Sequence, residues 1–217
     1  RIKPEISAIG TQVCSTTDVN DYTFKTGTSM SCPGVSGTMA VLYQAYKVKH
    51  SNNYPDAILM KAIACNTADD LGNKGPDFKY GYGRINARKA FKVIQDQSHF
   101  DGTLSNGNSD TVQVTIPSNK HLAKIMLAWN DVRGAANSNS PLVNNLDLKL
   151  IDPSNQVKLP YVLNISSTNT LDNPATNGVD NINNMEQIEL LNMPSGQYQV
   201  VIQGKSIPQG PQKYHVV

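Results

Sequence analysis

Aromatic residues, cysteine and glutamate are all scarce in this 217-residue chain. Aromatics make up only 6%, yet apolar residues as a whole reach 39%, so a core can form and disorder throughout is excluded. Glutamate occurs three times against fourteen aspartates, a bias toward turns and oxygen-rich loops rather than long charged helices. The three cysteines, Cys14, Cys32 and Cys65, are odd in number and lack C-x-x-C spacing. That excludes a disulfide framework and a zinc site of the usual kind. They are expected to be small buried apolar side chains, with one disulfide plus a free thiol as the alternative. No apolar run approaches the roughly 18 residues of a spanning helix, so no membrane partner is expected. A formal charge of +2 is too small to imply nucleic acid or a charged lipid surface. Arg1-Ile2-Lys3-Pro4 opens neither a signal nor a transit peptide, and the chain is expected to start within a longer protein.

Two halves differ in composition. Residues 1–95 hold twelve basic against seven acidic side chains, whereas 96–217 hold seven against ten, along with 17 of the 23 asparagines. In the first half, Ile6 to Ile9 is expected to form a short strand. Val35, Met39, Leu42 and Tyr46 recur at helical spacing, predicting a helix over 33–49. Gly34 and Gly37 inside it cost about 1 kcal/mol each, a cost usually offset by close packing, so the helix is expected to be buried. A second helix is predicted over 55–66. Asn86 should cap a third over 87–94.

After a junction near 95–102 the apolar period changes from 3.6 to 2. Val112, Val114 and Ile116 alternate with polar residues, as do Ala123, Ile125, Leu127 and Trp129, then Leu146, Leu148 and Leu150. Ile188 and Leu190, then Tyr198, Val200 and Ile202, continue the pattern before a last segment, Tyr214 to Val217. Turn clusters such as Pro194-Ser195-Gly196 separate them. Six to eight short strands without helices between them predict a β-sandwich or jelly roll. The expected domains are 1–97 and 98–217.

One segment stands out chemically: Gly27-Thr28-Ser29-Met30-Ser31-Cys32-Pro33. A serine at the opening turn of an apolar helix lies beside backbone N–H groups without intrahelical partners and at the positive end of the helix dipole. Negative charge developing on a substrate carbonyl would be stabilised there, as an acyl-transfer nucleophile requires. Spacing alone would equally suit a plain N-cap.

The block Gly-Thr-Ser-Met-Ser-x-Pro resembles the nucleophile signature of the subtilisin-like serine proteases, the subtilases. Lys3-Pro4-Glu5-Ile6-Ser7-Ala8 is similar to that family's K-P-D-I-x-A strand, and Gly81-Tyr82-Gly83-Arg84-Ile85-Asn86 to its closing turn. The resemblance implies an α/β subtilase fragment, the C-terminal part of the catalytic domain, in residues 1–97. It implies that Ser29 is the catalytic serine, that its own N–H helps form the oxyanion hole, and that Gly27 and Thr28 lie by the substrate cleft. In the family order of Asp, His and Ser, the other two members precede the serine. None of His50, His99, His121 and His215 has the family's histidine context, so each is expected to be a surface or structural residue. The implied partners are a protein or peptide substrate and the remainder of the protease chain carrying Asp and His. This chain alone is expected to be inactive, and the parent secreted. The alternatives are a binding or stabilising module and a pseudoprotease.

Asn144 to Leu148, Asp180 to Glu186 and Pro194 to Tyr198 resemble the C-terminal β-barrel of certain secreted bacterial alkaline subtilases, a jelly roll that can hold calcium. Asp147, Asp180, Asn183 and Glu186 are the candidate ligands for Ca2+, with Asn181 and Asp131 as further oxygen-bearing candidates. Asx-turns alone would also account for these residues.

Overall fold

The computed structural model describes residues 1–18, 20–138 and 140–217. The first half opens with an extended segment and a hairpin of β1 (Val13–Thr16) and β2 (Tyr22–Lys25), followed by α1 (Thr28–Lys49), α2 (Ala57–Asn66) and α3 (Ala87–Asp96). Ile6 to Ile9 does not form a strand. Its one ladder contact is a parallel bridge between Ser7 and Arg84, with Ser7 N–H donating to Gly83 O at 2.9 Å. A single bridge leaves most of its backbone unpaired, so the segment is extended without belonging to a sheet.

Helix α1 is five residues longer at its start than the apolar spacing predicts. It is also far less covered: of its 22 residues only Leu42 is buried. The inference of close packing from its glycines fails, since a Cβ on Gly37 would meet nothing within 4 Å. Helices α2 and α3 cover α1 around Leu42, with Leu59, Met60, Ile63, Ala90 and Ile94 completing that cluster. Helix α2 is the buried one; every residue from Ile58 to Asn66 except Lys61 is buried. Asn86 caps α3 as predicted, its side chain accepting from Lys89 N–H at 3.0 Å. Gly83, at φ 115°, passes so close to Asp69 that a Cβ would sit 2.2 Å from Asp69 O, which only glycine permits.

The second half contains β3 (Phe100–Leu104), β4 (Ser109–Ile116), β5 (Leu122–Ala128), β6 (Asn145–Ile151), β7 (Val157–Lys158), β8 (Tyr161–Val162), β9 (Thr176–Asn177), β10 (Met185–Leu191), β11 (Gly196–Ser206) and β12 (Gln212–Val216). They pair into two four-stranded antiparallel sheets, ordered β10-β5-β12-β3 and β4-β11-β6-β7, with β8 and β9 as a separate pair. One face of each sheet meets the other. Leu127, Trp129, Ile188, Tyr214 and Val216 from one side pack with Leu146, Leu148, Leu150, Tyr198, Val200 and Ile202 from the other. This is the alternating apolar pattern put to use: inward residues at every second position.

The halves share a second core. Ile58, Ala62, Cys65 and Tyr82 pack with Met126, Ala128 and Met185 of the sandwich, and Ile2 joins them. Asn66, 5% exposed, binds this seam with its polar atoms. Its Nδ2 donates to Lys124 O at 3.2 Å and Val217 O at 3.0 Å, and its Oδ1 accepts from Gln187 Nε2 at 2.9 Å. The expected burial of the cysteines holds only for Cys65. Cys14 and Cys32 are exposed, on the hairpin and on the uncovered side of α1, and all three are free thiols. Burial pushes the Cys65 thiol up to about 12.

Candidate active site and acidic cluster

Ser29 is the second residue of α1 and is exposed. The N–H groups of Thr28 and Ser29 open the helix, where no intrahelical acceptor exists. Gly27 is the N-cap and provides no side-chain cap, so nothing from that residue competes for these donors. Pro33 lies in the second turn of α1. Its missing N–H would otherwise donate to the carbonyl of Ser29, four residues earlier.

The helix mouth is positioned by a glycine that sequence reasoning did not single out. Gly27 N–H donates to Gly10 O at 2.8 Å, and a Cβ on Gly10 would stand 2.7 Å from Gly27 O and 3.2 Å from Ser31 Cβ. Two chain segments touch there backbone to backbone. Beside them lies a cavity of about 510 Å³, lined among others by Ile6, Ala8, Gly10, Thr28, Ser31 and Tyr80. Thr28 therefore borders a cleft. Gly27 and Ser29 are not among its lining residues, and the Ser31 hydroxyl turns back to donate to Thr28 O at 3.0 Å.

No histidine of the chain pairs with Ser29 among the described residues. His50 is at the far end of α1, about 30 Å away at 1.5 Å per residue. His99 and His215 lie near His50, and His121 is exposed at the start of β5. The reading of the histidines as surface or structural residues agrees with these positions.

The four candidate metal ligands gather at one end of the sandwich. Asp180 (1% exposed) accepts at Oδ1 from Ile182 N–H and Asn183 N–H, and at Oδ2 from Asn183 Nδ2 at 2.7 Å. Asn183 Oδ1 accepts from Ile2 N–H at 2.8 Å. These two residues thus spend their oxygens within the protein. Asp131 does the same, holding Val143 N–H, Asn144 N–H and Arg1. Asp147 and Glu186 differ. Glu186, 1% exposed, accepts from Leu148 N–H at Oε2 (2.7 Å), but its Oε1 has no partner among the described residues. Asp147 Oδ1 and Asn145 Oδ1 are likewise buried and unpartnered, while Asp147 Oδ2 lies 3.6 Å from Lys205 Nζ. Burial, with Asp180 and Asp147 nearby, pushes the Glu186 carboxyl well above the usual range, and burial also raises Asp147. As the side chains stand, no three His, Cys, Asp or Glu residues among those described converge on a common metal position. The unpartnered oxygens are nonetheless hard donors, the kind of atom that calcium takes.

Residues 1–83 match the model of the Subtilase family, Peptidase_S8. The chain is 28% identical over 87% of its length to a serine protease/ABC transporter B family protein, tagA, of Dictyostelium discoideum. It is 31% identical over 53% of its length to a C5a peptidase of Streptococcus pyogenes, and 42% identical over 32% to an extracellular serine protease of Serratia marcescens. It spans only 12%, 11% and 6% of those proteins, respectively. A solved lanthipeptide protease aligns with 35% of the chain and 22% of its own, at 36% identity and a TM-score of 0.32. No helix of the described residues is long and apolar enough to cross a membrane.

Proposed function

We propose, from the match of residues 1–83 to the subtilase family of serine peptidases, that Ser29 is the nucleophile of a secreted endopeptidase. The observation that carries the reading is the exposed serine at the mouth of α1, next to free backbone donors and to Thr28, which lines a cleft. Ser29 Oγ attacks the scissile carbonyl and forms an acyl-enzyme. The Ser29 N–H and the positive end of the helix stabilise the oxyanion. Thr28 and Gly27 border the bound peptide. The base that takes the serine proton, and the aspartate that orients it, come from a further subtilase segment, since the chain's own histidines stand elsewhere. The bare flank of α1 supports such a complement, as does the extended Ile6 to Ile9 segment with its backbone largely unpaired.

In this reading residues 1–97 are the C-terminal part of the catalytic domain. Residues 98–217 form a jelly roll, a reading that the strand order of the two sheets supports. Asp147 and Glu186, with the Asn145 amide oxygen, would hold a calcium ion; Asp180 and Asn183 would shape the loop around it. Bound there, calcium supplies charge compensation, since one half-exposed Lys205 faces three buried carboxylates.

A fluorophosphonate probe tests the serine. The 217-residue chain alone should label no faster than its Ser29→Ala variant. Extended upstream through its reading frame, it should label rapidly and at Ser29. Rapid labelling of the shorter chain refutes the need for outside groups, and a longer chain that never labels refutes the nucleophile.

A further inference from the structure

Three of the four histidines come from distant parts of the sequence and meet where the helical half rests on the sandwich. Tyr46 and His50, one turn apart at the end of α1, stack with ring centroids 3.9 Å apart. His99, in the connection between α3 and β3, lies 6.0 Å from the His50 ring and 6.1 Å from that of Tyr46. His215, on β12 and 3% exposed, places Nε2 2.9 Å from Asp56 Oδ2, the oxygen that Lys213 Nζ also reaches at 2.7 Å. Asp56 is the N-cap of α2 and makes no cap hydrogen bond of its own. His50 Nε2, His99 Nε2 and His215 Nδ1 are all buried without a hydrogen-bond partner among the described residues.

We propose that this cluster is a proton-sensitive latch: neutral, its rings hold the end of α1 and the 97–99 connection against β12 and β3, and protonated, they release them. The geometry gives the reason. A neutral imidazole tolerates one ring nitrogen without a partner, whereas an imidazolium carries an N–H at both and must desolvate a charge. The charged groups facing the cluster are Asp56 from the start of α2, Asp101 from β3 and Lys213 from β12, and Tyr46 from α1 is its other titratable member. Lys47 turns away, its ammonium 4.2 Å from the Tyr54 ring centroid. With neutral histidines the two carboxylates outweigh the one lysine. Imidazolium charges on His99 and His215 reverse that balance to a surplus of positive charge with no further acid to receive it.

The direction of titration agrees. Burial holds His99 and His215 below the ordinary histidine value, and the neighbouring His50 and His215 add to the effect on His99. The unfolded chain therefore binds more protons than the folded one just below the ordinary value near 6.5. Stability is full above that pH and is lost as the pH falls through it, levelling off below the depressed folded values. This inference does not depend on Ser29 being a nucleophile.

The test compares the 217-residue chain at pH 7.5 and pH 5.5. Limited proteolysis within 95–99 should quicken at the lower pH by up to about tenfold for each histidine that folding holds below its ordinary value. The melting midpoint should fall on the order of 2–4 °C over the same range. His99→Gln and, separately, His50→Phe should flatten both responses, while His121→Gln, on an exposed position, should keep them. Two variants guard against one that misfolds, which circular dichroism at pH 7.5 would reveal. Equal cleavage at the two pH values, or an unchanged pH response in both folded variants, overturns the latch.

Discussion

Replacing Asn66 by alanine should do far more damage than a helix-terminal asparagine ordinarily can. The side chain is buried in the seam and satisfies Lys124 O, Val217 O and Gln187 Nε2 together. Alanine removes all three partners and leaves two carbonyls and one amide in a space that water does not readily enter. At about 1–3 kcal/mol for each buried group left unsatisfied, and allowing for partial relaxation, the loss should be about 3–6 kcal/mol. That is a large share of the ~5–15 kcal/mol available to a whole domain. The assay is urea denaturation followed by two signals: fluorescence of Trp129 in the sandwich and far-ultraviolet circular dichroism, which the helices dominate. In the parent chain the two signals should coincide, because α2 and the inner sheet share one core. In Asn66→Ala the helical signal should be lost first. A stability change under about 1 kcal/mol, with the two signals still superposed, would show that the seam contributes little and that this account of the interface is wrong.

Further outcomes follow from the acidic cluster and the thiols. Saturating calcium at a hundred times its dissociation constant should stabilise the chain by about 2.7 kcal/mol, a rise of roughly 5–10 °C in the melting midpoint, and EGTA should reverse it. Glu186→Gln should abolish that response. Since the folded carboxyl is held above its unfolded value, its contribution to stability is present at acid pH and lost as the pH rises, so the variant should be more stable than the parent in EGTA at pH 7.5. Calcium binding should likewise weaken as acid protonates Glu186 and Asp147, read by calorimetry at pH 7.5 and 5.5. Under native conditions a thiol reagent should modify Cys14 and Cys32 within minutes and reach Cys65 only in denaturant.

The sandwich was legible because a half-buried strand writes its environment into alternate residues. Val112 to Ile116, Ala123 to Leu127 and Tyr198 to Ile202 read correctly for that reason, whereas the two-residue strands β7, β8 and β9 are too short to show a period. Ser29 was legible through its neighbours in sequence. Burial of α1 was misjudged because a helical apolar stripe marks which side can be covered, not how much of it is; here contact is concentrated at Leu42. The role of Gly10 was hidden, since a glycine needed for contact with another segment looks like any turn glycine until that segment is in place. The histidine latch was hidden for a similar reason: residues 50, 99 and 215 share no motif and meet only through the packing of α2 on β12.

The bonds around Asn183 have a mechanical implication. This one amide grips Asp180 with its nitrogen and the backbone of Ile2 with its oxygen, and Arg1 is moored beside it to Asp131, Asn184 and Pro141. From that mooring the chain runs to Gly10, pinned on the way where Glu5 O accepts from Tyr82 N–H and Ser7 pairs with Gly83 and Ile85, and Gly10 O accepts from Gly27 N–H at the start of the serine's helix. The far loop of the sandwich and the mouth of the serine's helix are thus fastened to the two ends of one short stretch of chain, itself held by the 80–85 turn.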